Sequence, residues 1–372
     1  MRIGIDIDIL GLPNPYTGIP NYLRRLVNAF TVLEPGADRF YLLSRRLVYE
    51  GGSLPAHVSQ VLIQWPLGRG WQSAALPWAA HRLKLDLLHL PAFTVPSFAP
   101  CPVVVTVHDL AFLGHPEYCP DETVNYLSRR LPVALKKASA VITPSAFVKD
   151  ESTRYFDFLT AKIYPVLHGV SPEFKVLPEE SLEKARQELG LPEHFFLFVG
   201  TIEPRKNLIR LIEAFGRAVA QGLDHSLVLA GTKGWKCSDI YALSRHLGLE
   251  HRVQFLGYVP DALLPALYNT ATIFVYPSLY EGFGLPVLEA MACGTPVIAS
   301  NTSSLPEVAG EAGILVEPLD IKELASAMFL LAQNAELRRE LTRKGLERAA
   351  RFSWERTARE TIRVYEACLK SR

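Results

Sequence analysis

Glu281 and Glu289 stand eight residues apart in the string Glu281-Gly-Phe-Gly-Leu-Pro-Val-Leu-Glu289. Ahead of it, the apolar run Ile273–Tyr276 predicts a buried strand. A loop with two glycines follows, and then a helix that starts near Pro286, because proline is favoured at a first helical position, where its missing N–H would be unpaired anyway. Gly282, Phe283, Gly284 and Leu285 then offer backbone N–H groups at a helix N-terminus, which suits a phosphate. Glu281 lies just before that loop and Glu289 just inside the helix. An acidic residue in a first helical turn is stabilised by the helix dipole without any ligand, so Glu289 taken alone has an equally good structural explanation. Glu281, outside the helix, has none.

Arg205 and Lys206 form a second candidate pair, in Gly200-Thr-Ile-Glu-Pro-Arg-Lys-Asn207 after the predicted strand Phe195–Val199. A helix start disfavours cations, so two of them there call for an anionic partner. Fixed cations aimed at a leaving diphosphate would stabilise the charge that grows as the bond to it breaks. Arginine supplies a planar fork and lysine a compact point charge, so the two serve different oxygens. The plainer alternative is a solvated basic turn. His108 follows the predicted strand Val103–Val107. A lone histidine is usually structural, but the carboxyl end of a strand is where α/β sheets bind ligands. Gly18, after the first strand, permits close backbone approach. Gly231, Lys233 and Trp235 follow another strand and can line a site, although Trp235 is equally well explained by packing.

These residues need a frame. Short β-branched runs alternate with longer helical patterns, which predicts parallel α/β sheets. Strands are expected near Ile3–Ile9, Phe40–Leu43, Val58–Ile63, Leu85–Leu90, Val103–Val107, Ala140–Thr143 and Lys162–Val166. A second series restarts near residue 195: Phe195–Val199, Leu227–Ala230, Val253–Phe255, Ile273–Tyr276, Val297–Ala299 and Gly313–Val316. Between the series, Val170–Glu180 holds two prolines and reads as a linker, with the helical pattern Leu182–Leu189 behind it. Helices are expected at Glu323–Leu331, Ala335–Ala350 and Trp354–Leu369. Every candidate residue follows a predicted strand, as ligand binding outside the carboxyl ends requires.

Composition narrows the class. The chain has 372 residues, enough for two ordinary domains, and its 49% hydrophobic and 21% charged content is that of a soluble globular protein. A net charge of +1 argues against a dedicated nucleic-acid binder. Five scattered cysteines with no Cys-x-x-Cys suggest reduced thiols in the cytosol. Asp6 and Asp8 interrupt the first apolar run, so a signal peptide is not expected, and no stretch reads as a transmembrane helix. No Gly-x-Gly-x-x-Gly, P-loop or Gly-x-Ser-x-Gly elbow is present. Asp6-Ile-Asp8 lies in the expected first strand, where alternation puts both carboxylates on one face, and it reads as structural. No metal-ligand spacing is found, and none is needed if Arg205, Lys206 and the helix N-terminus neutralise a diphosphate.

Taken together, these strings resemble the retaining, nucleotide-sugar-dependent glycosyltransferases of family 4. Val199–Leu208 is similar to the family's diphosphate-binding segment, and Val107-His-Asp-Leu110, Thr143-Pro-Ser145 and His168-Gly-Val170 to landmarks of its amino-terminal domain. The resemblance covers nearly the whole chain and is nearest to bacterial mannosyltransferases of surface polysaccharides. It implies the GT-B fold, two Rossmann-like doubly wound parallel-sheet domains facing across a cleft. The expected division is 1–172 for the acceptor-side domain and 173–353 for the nucleotide-sugar domain, with 354–372 crossing back from Phe352-Ser-Trp354. It also implies roles. Glu281 would hold donor sugar hydroxyls, Glu289 the ribose, and Arg205 and Lys206 the diphosphate. His108 would meet the donor sugar, with Asp109 orienting its ring or facing the acceptor. Tyr258 and Val259 would meet the base through their backbone. Family members carry paired glycines where this chain has Thr17-Gly18, with Pro20 where the helix should begin.

The implied reaction moves a hexose to a glycan or lipid-linked acceptor, with GDP-mannose as first donor and UDP-sugars as the alternative, and with no metal. A nucleotide-sugar 2-epimerase on the same fold and a two-lobed small-molecule binding protein are the rival readings. Val124–Lys137 sets Arg129, Arg130, Lys136 and Lys137 beside Leu127, Leu131 and Leu135. Such a helix suits either an anionic membrane surface, making the protein cytoplasmic and peripheral, or a solvated face packed on its own domain.

Overall fold

The computed structural model describes residues 1–11, 18–34, 36–49, 54–65, 70–93 and 95–370. The chain divides into two compact units, Met1–Gly169 with Ser353–Arg372, and Val170–Phe352. In the first unit seven strands form one parallel sheet: β1 (Arg2–Asp6), β2 (Arg39–Ser44), β3 (Val58–Leu62), β4 (Leu87–Leu90), β5 (Val103–Thr106), β6 (Ala140–Thr143) and β7 (Ile163–Pro165), in the order β3-β2-β1-β4-β5-β6-β7. In the second, six strands pair in parallel: β8 (Phe195–Val199), β9 (Ser226–Ala230), β10 (Val253–Gly257), β11 (Ile273–Tyr276), β12 (Val297–Ser300) and β13 (Gly313–Val316), in the order β10-β9-β8-β11-β12-β13. Strands β4, β5, β6, β11 and β12 are buried at every position. Their near-continuous Val, Ile and Leu runs follow from helices on both faces of a parallel sheet.

The first strand is shorter than Ile3–Ile9. It stops at Asp6, and Asp8–Gly11 turns into a 3-10 helix. The two aspartates therefore do not share a strand face. Asp8 N–H donates to Asp6 Oδ1 at 3.1 Å, a side-chain bond that diverts the backbone from the ladder. Thr17 lies outside the described residues, while Gly18, at φ 41°, opens the first helix, Gly18–Val32, with Pro20 inside its first turn. That helix is amphipathic and buries Tyr22, Leu23, Leu26, Val27 and Phe30.

The terminal helix, Trp354–Lys370, belongs to the first unit. Its fit requires Gly169, where a Cβ would lie 2.1 Å from Trp354 N. Thr357 Oγ1 donates to Leu167 O at 2.7 Å. Tyr365 OH meets His89 Nδ1 at 2.7 Å, and His89 Nε2 meets Thr106 Oγ1 at 2.8 Å. Burial holds His89 down to about 3, so this fully enclosed ring stays neutral with both nitrogens bonded. All five cysteines are free thiols. Among the described residues no helix is long and apolar enough to cross a membrane.

Candidate active site

The second sheet reverses its strand order between β8 and β11, and the carboxyl ends of those strands deliver Gly200–Asn207 and Pro277–Glu281 to one place. The two segments are stitched together by their backbones. Leu279 N donates to Arg205 O at 2.9 Å, and Asn207, in the left-handed region at φ 61°, gives Nδ2 to Pro277 O at 3.0 Å and to Pro318 O at 2.6 Å. Arg205 and Lys206 lie in a short 3-10 turn, Pro204–Lys206, ahead of the helix Leu208–Ala220.

Their anionic partners are Glu281 and Glu203. Lys206 Nζ donates to Glu281 Oε1 at 2.5 Å and to Tyr276 OH at 2.7 Å. Arg205 Nη1 reaches Glu281 Oε2 at 3.3 Å and Tyr280 O at 3.0 Å, while its Nε and Nη2 engage Glu203 Oε1 at 3.1 and 2.9 Å. Two carboxylates and two cations thus interlock, with Glu203, Lys206 and Glu281 all buried. Burial alone would push Glu281 up, but Lys206 and Arg205 bring it down to about 2, so it is ionised throughout the neutral range. Burial pulls the Lys206 ammonium below its ordinary value, with the Glu281 carboxylate opposing. Burial and the Glu281 charge raise Tyr276, which stays a neutral phenol.

The loop after Glu281 is fixed from β12's side. Ser304 Oγ donates to Glu281 O at 2.9 Å and to Phe283 O at 2.7 Å, and Glu281 N donates to Ser303 Oγ at 3.0 Å. Ser303 holds φ 55°, unusual for a residue with a side chain. Gly284 holds φ 110°, and a Cβ there would sit 2.6 Å from Leu305 Cδ2. The helix it introduces is Leu285–Ala292, one residue ahead of Pro286, and the Phe283 ring packs edge-on against Phe352 at 6.2 Å. The first-turn N–H groups of such a helix have no partners within it and point out of its end.

Glu289 lies inside that helix, partly buried, and its Oε2 accepts Tyr268 OH at 2.9 Å. Gly231 is required by close backbone approach: a Cβ there would fall 1.8 Å from Gly200 O. Its N–H donates to Gly257 O at 2.7 Å, so the ends of β8, β9 and β10 are held together. Tyr258, just beyond, is 56% exposed and Val259 is buried. A basic depression between Thr272, Pro296 and the helix Ala335–Ala349 lies at the amino ends of β11 and β12, the wrong end for this cluster.

In the first unit three of the sequence landmarks meet. His108 packs edge-on against Tyr22 at 4.8 Å, Tyr22 lies 4.7 Å from His168, and His168 stacks on Trp354 at 5.5 Å. His108 Nε2 meets Pro91 O at 2.8 Å. A carbonyl only accepts, so that nitrogen carries the proton. Burial lowers both His108 and His168, and neutral His108 therefore presents Nδ1 as an acceptor. Asp109 Oδ1 takes Ala111 N–H at 3.1 Å, which turns the chain rather than holding the imidazole. Ser145 caps the helix Ala146–Tyr155 through Val148 N at 3.2 Å, a structural role for that landmark. Among the described residues no group of three His, Cys, Asp or Glu side chains is placed to hold a metal ion.

Sequence reasoning missed Glu203, Tyr276, Ser303 and Ser304. Glu203 and Tyr276 were inside the quoted strings, and the signal for them was a need for buried partners to two cations.

Known proteins share this frame. Residues 20–174 match the family described as Glycosyltransferase Family 4, and residues 181–348 match Glycosyl transferases group 1. The chain is 36% identical over 291 residues to O-antigen chain mannosyltransferase B of Escherichia coli, covering 78% of this chain and 76% of that one. It is 32% identical over 288 residues to the serotype-specific mannosyltransferase WbdA of Escherichia coli, covering 76% of this chain but only 35% of that longer protein. In fold it is similar to sucrose-phosphate synthase from Thermosynechococcus elongatus, with a TM-score of 0.76 at 24% identity over 100% of both chains. It is likewise similar to Anabaena HepE in complex with UDP and glucose, with a TM-score of 0.74 at 19% identity, covering 99% of this chain and 100% of that one. Two parallel-sheet units, two family matches in succession along the chain and these relatives leave one conclusion: the chain belongs to the family-4 glycosyltransferases of GT-B fold.

Proposed function

We propose that this transferase retains configuration and moves mannose from GDP-mannose to a hydroxyl of a glycan or lipid-linked acceptor in the synthesis of a cell-surface polysaccharide. The observation that carries the reading is the Glu281–Lys206–Arg205 cluster at the strand reversal of the second sheet, ahead of a helix N-terminus. Donor sugar hydroxyls donate to Glu281, whose two oxygens keep accepting capacity beyond the Lys206 and Arg205 bonds. Lys206, Arg205 and the N–H groups of Gly282–Leu285 face the diphosphate, Glu289 the ribose, and Tyr258 and Val259 the base. Gly231 lines the donor site. The bond from the anomeric carbon to the phosphate oxygen breaks, the acceptor oxygen bonds to that carbon on the same face, and the acceptor proton passes to the departing phosphate. No metal takes part, since fixed cations and backbone dipoles carry the charge. The mannosyl choice is supported by what the two Escherichia coli relatives are named for.

The test is incubation of the protein with GDP-mannose and with UDP-sugars, in EDTA and in Mg²⁺. Slow release of mannose and GDP in EDTA is expected. Turnover of UDP-sugars alone overturns the donor, activity that needs Mg²⁺ or Mn²⁺ overturns the diphosphate assignment, and a 2-epimerised nucleotide-sugar or binding without turnover overturns the transferase reading itself.

Such an enzyme would work at the inner face of the cell membrane. The helix Asp121–Lys137 buries Leu131 and Leu135 in its own core, so its apolar face is not free to enter lipid. Beyond its first turn, where Asp121, Glu122, Thr123 and Asn125 are exposed, it exposes Tyr126, Arg129, Arg130, Val133, Lys136 and Lys137, with exposed Phe98 next to Ser97, whose carbonyl takes Lys137 Nζ at 2.9 Å. Each cation near an anionic surface is worth about 1 kcal/mol, decaying within a Debye length. Changing Arg129, Arg130, Lys136 and Lys137 to Ser is expected to release the protein from phosphatidylglycerol vesicles in a sedimentation assay while sparing donor hydrolysis. Unaltered sedimentation would make the stripe an ordinary solvated face.

A further inference from the structure

The first sheet reverses its strand order between β1 and β4, the place that corresponds to the Glu281 cluster in the second sheet. Crevices outside the carboxyl ends of strands at such a reversal take ligands. Asp6 is the last residue of β1. Its carboxylate accepts Trp71 Nε1 at 3.2 and 3.3 Å and Asp8 N–H at 3.1 Å. The nearby cation goes elsewhere. Arg45 gives Nε and Nη2 to Asp8 Oδ2 at 3.0 and 2.5 Å, gives its backbone N–H to Asp8 Oδ1 at 2.8 Å, and lies 5.5 Å over the Trp71 ring. Among the described residues Asp6 makes no ion pair, although it is partly buried.

Tethering Trp71 does not explain that charge. An asparagine oxygen would accept the same two N–H groups, and burying a neutral amide costs less than burying a carboxylate. A carboxylate at a strand's carboxyl end, whose nearest cation Arg45 spends its hydrogen bonds on Asp8, is suited to a ligand. The donors present leave it accepting capacity, and a carboxylate beside an indole is suited to sugars, whose hydroxyls donate and whose C–H faces lie against rings.

We propose that Asp6 binds a hydroxyl of the acceptor sugar, with Trp71 orienting its carboxylate. The inference rests on the transferase reading, and the step is a hydrogen bond, with no proton transfer assigned to Asp6. The charged groups that face it are Asp8, from the turn that follows, and Arg45, from the segment after β2; on the β4 side His89 is locked neutral between Thr106 and Tyr365. Burial raises Asp6 to about 6, with the Asp8 N–H and Trp71 bonds opposing, so it becomes a full acceptor above that pH.

Asp6→Asn separates the alternatives. The probe is an α-mannose-terminated trisaccharide on an alkyl tail, with GDP-mannose as donor. The variant is expected to melt no lower than the unaltered protein and to bind GDP equally in calorimetry. Its kcat/KM for the trisaccharide is expected to fall about ten- to a hundred-fold, as for loss of a charged hydrogen-bond acceptor. The rise of kcat/KM through about pH 6 in the unaltered protein should be absent from the variant. Unchanged kcat/KM, or a fall matched by a lower melting temperature with the pH limb intact, overturns the inference and leaves the transferase reading standing. Failure of the unaltered protein to glycosylate the trisaccharide overturns the acceptor class on which the inference rests.

Discussion

Lys206→Met is expected to destabilise the second unit more than any other single change at the site. It removes the ammonium 2.5 Å from Glu281 and leaves that buried carboxylate with one paired cation, Arg205, at 3.3 Å. Taking one partner from a buried pair costs about 3–5 kcal/mol, and the surviving Arg205 contact puts this case near 3. The pH dependence has a definite sign. Glu281 is held at about 2 against an ordinary 4.5, so its contribution is fully present above 4.5 and is lost as pH falls toward 2. The deficit of Lys206→Met is therefore greatest above pH 4.5 and closes as pH falls. Urea unfolding of the variant at a series of pH values measures this. Adding Glu281→Gln to Lys206→Met should recover most of the loss at pH 7. A double variant no more stable than Lys206→Met would mean that the lysine acts through packing against Tyr276, not through the carboxylate.

Glu281→Gln and Glu289→Gln should fail in different ways. Glu281 is assigned to the donor sugar, which a bare nucleoside diphosphate lacks. The structure sharpens the expectation, since removing the Glu281 charge also releases Lys206 toward phosphate. Affinity of Glu281→Gln for GDP should therefore hold or rise, while transfer at saturating donor falls about ten- to a hundred-fold, the loss of one charged hydrogen bond worth about 1.5–3 kcal/mol in the transition state. Glu289→Gln should weaken GDP, with a smaller effect on turnover. Calorimetry beside transfer rates decides. Weakened GDP in the Glu281 variant with normal binding in the Glu289 variant reverses the two assignments, and no change in either makes the pair structural, Glu289 then serving as the partner of Tyr268.

The strand runs were legible because parallel strands buried on both faces leave a compositional trace that needs no partner to read, as Val103–Val107 and Ile273–Tyr276 show. The Glu281 string was legible for a local reason too: glycines and a proline fix where a loop ends and a helix begins. Contacts between loops were not legible. Arg205 and Glu281 are separated by 75 intervening residues, and nothing in either string says that the guanidinium will be held from its other edge by Glu203. The end of β1 was misjudged because Ile7 and Ile9 continue the alternation, whereas the Asp6 carboxylate captures the Asp8 N–H and ends the strand. The sequence left two readings of Asp121–Lys137 open for a related reason: periodicity identifies the apolar face but not what covers it, and the structure buries Leu131 and Leu135 in the domain's own core.

The terminal helix has a consequence for the order in which the molecule is made. The second unit is a continuous run, Val170–Phe352, whose entry and exit are joined by Val170 N–H to Phe352 O at 3.3 Å. It is, in effect, an insertion within the first. Domains fold as units while the chain is synthesised, at roughly 5–20 residues per second. The unit that begins the chain must therefore wait for its last helix: the surfaces around Tyr22, His89 and Gly169 stay open until Trp354–Lys370 emerges. The unit in the middle completes itself first, and the nascent amino-terminal sheet needs protection for the whole of that interval.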